Sequence, residues 1–229
     1  MQLVLWDIDH TLIATRGLGR QIFADCFERV TSRQMRTQAA VDGMTEPVIF
    51  QETARLHGIA SDRALFEEFA RCSAEEHRRR AAELRERGHA LPGAAAALDA
   101  FARLEGVAQT VVTGNIRPVA EIKLRAFGLD THIRWQYGGY GEDHDDRAAL
   151  VQTAIRRAGR ALGTRIAAHD VLLIGDTPAD VAAALSSGVR VLAVSTGRSS
   201  PADLREAGAT DVAVNLNDTQ VLLRVLSRA

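Results

Sequence analysis

Four consecutive apolar residues, Leu3-Val4-Leu5-Trp6, end at two carboxylates two positions apart, Asp7 and Asp9. So short and unbroken an apolar run suits a strand buried on both faces of a parallel sheet. In an open α/β sheet, ligands gather beyond the carboxyl ends of the strands, which is where these acids fall. Two acids at one tip repel each other unless a cation lies between them or one keeps its proton. A strand serving stability alone has little reason to end this way, and the tip reads as a site.

Two further runs repeat the pattern. Val171-Leu-Leu-Ile174 breaks at Gly175 and Asp176, and Thr177 is placed to N-cap a helix opening on Pro178. Thr110-Val-Val-Thr113 ends in a hydroxyl, a glycine and an amide: Thr113, Gly114 and Asn115. Oxygen ligands at converging tips suit a hard divalent cation, typically Mg2+. Helical stretches at 93–104, 118–127, 147–162 and 178–187 alternate with strands, the later ones at 189–194 and near 212–214. That alternation predicts an α/β fold with a doubly wound parallel sheet.

Residues 15–89 leave this pattern. Apolar spacing there is helical over 17–31, 46–57 and 62–87, and Arg78-Arg79-Arg80 reads as a solvated face. Leu91-Pro92-Gly93 marks the return to the α/β series. A net charge of −1 gives no electrostatic ground for nucleic-acid binding. No apolar run is long enough to span a membrane. Cleavage of a signal peptide would remove Asp7, so a cytoplasmic location is expected. Cys26 and Cys72 lack metal-ligand spacing, sit in helical stretches, and are expected to be reduced packing residues rather than a bridge. Oligomeric state is not legible.

Taken in order, Asp7-Ile-Asp-His-Thr-Leu12, Thr113 in Val-Val-Thr-Gly-Asn, and Gly175-Asp-Thr-Pro-Ala-Asp180 resemble the motifs of the haloacid dehalogenase-like hydrolase superfamily. Within it the chain is similar to phosphoglycolate phosphatase-like enzymes with a helical cap. The resemblance implies a Rossmann-like α/β core of residues 1–14 and 90–229 and an all-helical cap of residues 15–89. It implies a Mg2+-dependent phosphatase acting on a small phosphorylated metabolite, with no nucleic-acid or membrane partner. Asp7 would be the nucleophile and Asp9 the general acid and base. Metal ligands would be Asp7, the Asp9 main-chain carbonyl, Asp176 and Asp180; Thr113, Gly114 and Asn115 would hold the phosphate. His10 stands where the family has glycine, either narrowing the phosphate approach or serving as a tolerated loop residue facing the cap.

Several positions carry two readings. The cation beside Asp7 is either Arg147, by position at the start of a helix, or Lys123, the only lysine in the chain, by residue type. Asp180 either orients metal-bound water or simply stabilises the start of its helix. Gly43 and Thr45, in a segment resembling the family's substrate loop, are candidate specificity residues, although Thr45 could equally N-cap the helix opening on Glu46-Pro47. A phosphosugar mutase would share these motifs, and a non-catalytic binding module is the third reading. A dehalogenase is disfavoured by Asp9.

Overall fold

The computed structural model describes residues 1–227. Strand β1 (Gln2–Trp6) is followed by a turn and the short strand β2 (Ile13–Ala14). Four helices then run in succession: α1 (Leu18–Thr31), α2 (Glu46–Leu56), α3 (Arg63–Arg79) and α4 (Ala81–Arg87). Strand β3 (His89–Ala90) pairs antiparallel with β2, so the chain leaves and re-enters the core through one two-stranded ribbon. The core continues through α5 (Ala94–Ala102), β4 (Val107–Val111), α6 (Arg117–Ala126), α7 (Arg147–Leu162), β5 (Val171–Gly175) and α8 (Pro178–Ser186). It closes with β6 (Arg190–Val194), α9 (Pro201–Glu206), β7 (Asp211–Ala213) and α10 (Thr219–Ser227).

The main sheet is parallel throughout, in the order β4-β1-β5-β6-β7. β1 therefore lies between the two other strands whose tips carry polar motifs. Alternation along it feeds both faces. Val4 and Trp6 pack with Phe101, Leu98 and residues of α10, whereas Leu3 and Leu5 pack with Leu150, Val151 and Val181 of α7 and α8. Trp6 satisfies its indole by donating from Nε1 to Gln109 Oε1 at 3.0 Å, and Gln109 Nε2 donates on to Leu98 O at 2.9 Å. The fold is the doubly wound α/β core with a helical cap that the sequence predicts.

The cap helices bury their own aromatic core, in which Phe69 lies against Phe23, Phe50 and Phe66. Three expectations are corrected here. The helical stretch 62–87 divides at Arg80, whose backbone leaves the helical region. Its guanidinium is mostly buried and bonds Asp25 of α1 and Glu83 of α4, so this member of the arginine triplet is an internal tie, not a solvated face. Cys26 and Cys72 are paired as a disulfide rather than left as reduced packing residues, with Cα atoms 5.7 Å apart. The packing of α1 along α3 brings them face to face, within the reach of a bridge, and a separation of 46 residues hides that proximity in the sequence.

Because Phe69 is fully buried among aromatic rings, Phe69→Ala is expected to cost about 3–5 kcal/mol. Leu56→Ala, at a half-exposed position, should cost less than about 0.5 kcal/mol. Urea unfolding of the two variants measures the contrast.

Candidate active site

Three strand ends build the site. β1 runs straight into Asp7, and β5 into Asp176. Beyond β4, Thr113 is fixed because its N–H donates to Gly139 O at 3.1 Å, while Gly139 N–H donates to Val111 O at 3.0 Å. One carboxylate oxygen each from Asp7, Asp176 and Asp180 lies within 4.8 Å of the others, and all three residues are buried. Thr11 donates from its hydroxyl toward Asp176 Oδ1 at 3.1 Å and lies 3.4 Å from Asp7 Oδ2.

Arg147 is the counter-charge of this triad. Its guanidinium donates from Nη2 to Asp7 Oδ1 at 2.6 Å and from Nε to Asp180 Oδ1 at 2.7 Å, with the side chain buried. It occupies the first position of α7, behind the N-cap Asp146, where the helix dipole disfavours a cation. Its two carboxylate partners offset that cost. Asp180 also closes a capping box: its Oδ2 accepts from Thr177 N–H at 3.1 Å and from Thr177 Oγ1 at 2.6 Å. Asp180 thus caps α8, as one of its two sequence readings expects, and also faces the other two acids.

Burial is the largest influence on Asp7 and pushes its carboxyl up to about 7, Arg147 opposing and the Asp180 and Asp9 charges adding to the rise. Burial likewise raises Asp176 to about 8, helped by the charges of Asp7 and Asp180. One guanidinium does not balance three clustered acids. Burial and mutual repulsion raise the proton affinity of the triad, and such a cluster has room for more positive charge.

Asp9 belongs to a second cluster. Lys123 Nζ, on α6, reaches Asp9 Oδ1 and Oδ2 at 2.9 and 2.7 Å and Asn115 Oδ1 at 2.7 Å. Asn115 Nδ2 donates to Asp9 Oδ2 at 2.7 Å and to Thr113 Oγ1 at 2.8 Å. Burial works to raise the Asp9 carboxyl, but the Lys123 ammonium and the bonds from Lys123 and Asn115 outweigh it and hold Asp9 below the usual range. The two basic candidates therefore have separate partners, Arg147 on Asp7 and Lys123 on Asp9. Thr113 Oγ1 accepts from Asn115, so its own proton is left to donate.

The cap is seated directly over these loops. A Cβ on Gly43 would lie 2.2 Å from Ala179 Cβ, and one on Gly114 would lie 2.1 Å from Met44 O. Gly43 also has φ +71, so both the close approach and the backbone require glycine there. Glu46 N–H donates to Gly114 O at 2.8 Å, and Glu46 Oε2 accepts from Ile116 N–H at 3.1 Å. Thr45 occupies the N-cap of α2, but its hydroxyl makes no capping bond and is buried without a partner. The cavity between cap and core measures about 740 Å³ and is lined by Asp7, Asp9, Thr113, Lys123, Arg147 and Asp176 from the core, and by Gly43, Glu46 and His77 from the cap. Thr45 is not part of that wall.

His10 also lines the cavity, with φ 64. Its backbone is in the left-handed region that favours glycine, which gives a physical reason for a glycine at this turn. The sequence reading missed Thr11, Glu46, His77 and Gly197. Thr11 had a signal, being a hydroxyl four residues after Asp7. Gly197 had none: a Cβ there would fall 1.8 Å from Asp176 Oδ2, a contact made by a distant loop.

A family model for haloacid dehalogenase-like hydrolases matches residues 4–185. A search of the curated proteins found no match. Among solved structures, a hydrolase from Pseudomonas syringae aligns over 98% of each chain at 19% identity, with a TM-score of 0.69. A protein assigned as a beta-phosphoglucomutase from Thermotoga maritima aligns over 98% of this chain and 99% of its own, at 19% identity and a TM-score of 0.61. A protein predicted to be a phosphoglycolate phosphatase from Haemophilus somnus 129pt covers 97% and 98%, at 15% identity and a TM-score of 0.63. At these identities the structural likeness establishes the fold.

Since the Asp7 and Asp176 carboxyls are raised above their unfolded values, their contribution to stability is present at low pH and lost as pH rises through the folded pKa values. Chelator-treated protein is therefore expected to become less stable between about pH 5 and pH 8. Asp176→Asn should flatten that slope. Urea midpoints across the pH series measure both.

Proposed function

The chain belongs to the haloacid dehalogenase-like hydrolase family, and from that premise we propose that it is a Mg2+-dependent phosphatase of small phosphomonoesters, working through an aspartyl phosphate on Asp7. The observation that carries this reading is the buried triad of Asp7, Asp176 and Asp180, with one oxygen of each within 4.8 Å of the others and a single guanidinium between two of them. The helical insert, residues 15–89, is its cap.

The donor set fits the ion. Asp7, Asp176 and Asp180, with the Asp9 main-chain carbonyl, would hold Mg2+ through oxygen alone. Bound there, Mg2+ supplies the charge that keeps the acids ionised and offsets the repulsion between Asp7 and an incoming phosphate. In this reading an Asp7 oxygen attacks phosphorus, the bond from phosphorus to the ester oxygen breaks, and Asp9 delivers its proton to the departing alkoxide. Water then attacks the aspartyl phosphate, Asp9 takes the water proton, and the bond to Asp7 breaks to release phosphate.

Lys123 and Asn115 hold Asp9 as a carboxylate in the free protein. A phosphate dianion arriving beside it raises its proton affinity, as like charges do, and so loads the acid. Arg147 offsets charge at Asp7, and the Thr113 hydroxyl with the Gly114 N–H orient the equatorial oxygens of the phosphoryl group. Such positioning and charge stabilisation supply most of what phosphoryl transfer requires.

Phosphate release from a panel of phosphomonoesters, with Mg2+ or with chelator, tests the reading. Activity is expected only with the metal, and it should disappear in Asp7→Asn. Arg147→Ala should lower turnover about 100-fold, the scale of a lost transition-state charge contact. Lys123→Met should move the Asp9-dependent limb of the pH–rate profile to higher pH, because the counter-charge holding Asp9 down is gone. Isomerisation of a phosphosugar without phosphate release would instead identify a mutase. Absence of turnover across the panel with Mg2+ would leave a binding module.

A further inference from the structure

The cavity has one polar wall that the chemistry above does not use. His77, on α3 of the cap, is 5% exposed and contributes to that wall. Its Nδ1 lies 2.8 Å from Ser73 O in its own helix. A carbonyl can only accept, so Nδ1 carries the hydrogen and, in the neutral ring, Nε2 is left as a bare lone pair. That Nε2 is buried and has no partner. Nε2 belongs to the edge of the ring turned away from the Ser73 carbonyl. Burial first, and the Lys123 charge second, push the imidazole down to about 4, so it is neutral at pH 7.

Buried polar atoms are nearly always satisfied, and an orphan on a residue that lines a ligand cavity calls for a partner. We propose that His77 is a specificity residue whose Nε2 accepts a hydrogen bond from a hydroxyl on the leaving group, so that the substrates are phosphate esters of polyols or sugars. This rests on the phosphatase reading and names its substrate class. A carboxylate-ended ester is a poor fit at this wall. It offers no proton to Nε2, and it would be brought toward Asp9 and Glu46, whose oxygens are already engaged. The other arginines lining the cavity, Arg16, Arg20 and Arg198, are exposed, where solvent screens their pull on such a group.

The test compares glycerol 3-phosphate with propyl phosphate, which lacks the hydroxyls, and with phosphoglycolate, which ends in a carboxylate. Wild-type kcat/KM should favour glycerol 3-phosphate over propyl phosphate by about tenfold, the upper range for one neutral hydrogen bond. His77→Leu should reduce that preference to less than about threefold while propyl phosphate turnover stays near wild type, and His77→Gln, which keeps an acceptor at the same reach, should restore it. Calorimetric titration of Asp7→Asn protein with glycerol 3-phosphate and propyl phosphate, with and without His77→Leu, reads the same preference as binding.

The proposal is overturned if wild type does not distinguish these two esters, if the preference survives His77→Leu, or if both esters lose turnover equally. It is also overturned if phosphoglycolate is the preferred ester and depends on His77, which would mark the ring as a cation. If wild type hydrolyses none of the three with Mg2+, the phosphatase reading fails, and the titration alone decides the role of His77.

Discussion

Everything at the active edge depends on burying three carboxylates, Asp7, Asp176 and Asp180, against a single guanidinium. An isolated buried charge is strongly disfavoured, and a cluster of like charges more so. Arg147 relieves part of the repulsion by touching Asp7 and Asp180 at once. The remainder appears as raised proton affinity at Asp7 and Asp176. The molecule thus carries a local imbalance of charge at the one place where the sheet opens toward the cap.

Two electrostatic clusters share the cavity and are kept apart. Arg147 serves the triad, while Lys123 and Asn115 serve Asp9. The division has a topological origin. Arg147 opens α7 and Lys123 lies on α6, and the two cations reach different acids of the β1 tip. The paired aspartates consequently experience opposite environments, one pushed toward holding a proton and the other toward losing it. Such separation is the usual means by which two similar carboxyls take different parts in one reaction.

The cap completes the site by close backbone contact as well as side chains. Gly43 over Ala179 and Met44 O over Gly114 allow no Cβ between them, and Glu46 ties the start of α2 to the loop after β4. Glu46 reads in the sequence as an ordinary acid in the first turn of a helix. Only its hydrogen bonds to the Ile116 N–H and the Ser73 hydroxyl reveal a latch. His77 likewise reads as one more polar residue near an arginine triplet, and its orphaned Nε2 becomes visible only when the cap is seated.

The sequence by itself determined the parallel core, because short apolar runs such as Leu3–Trp6 and Val171–Ile174, which suit strands covered on both faces, alternate with helical stretches. It also placed Asp7, Asp9, Thr113 and Asp176 at strand tips, since local chemistry changes abruptly where each run ends. Tertiary structure alone decided what long-range contact decides. It assigned Arg147 and Lys123 to different acids, brought Cys26 to Cys72, broke the third cap helix at Arg80, and left the Thr45 hydroxyl without a bond to its own helix. Periodicity reports which face of an element is buried, whereas the partner across that face is set by the path of the rest of the chain.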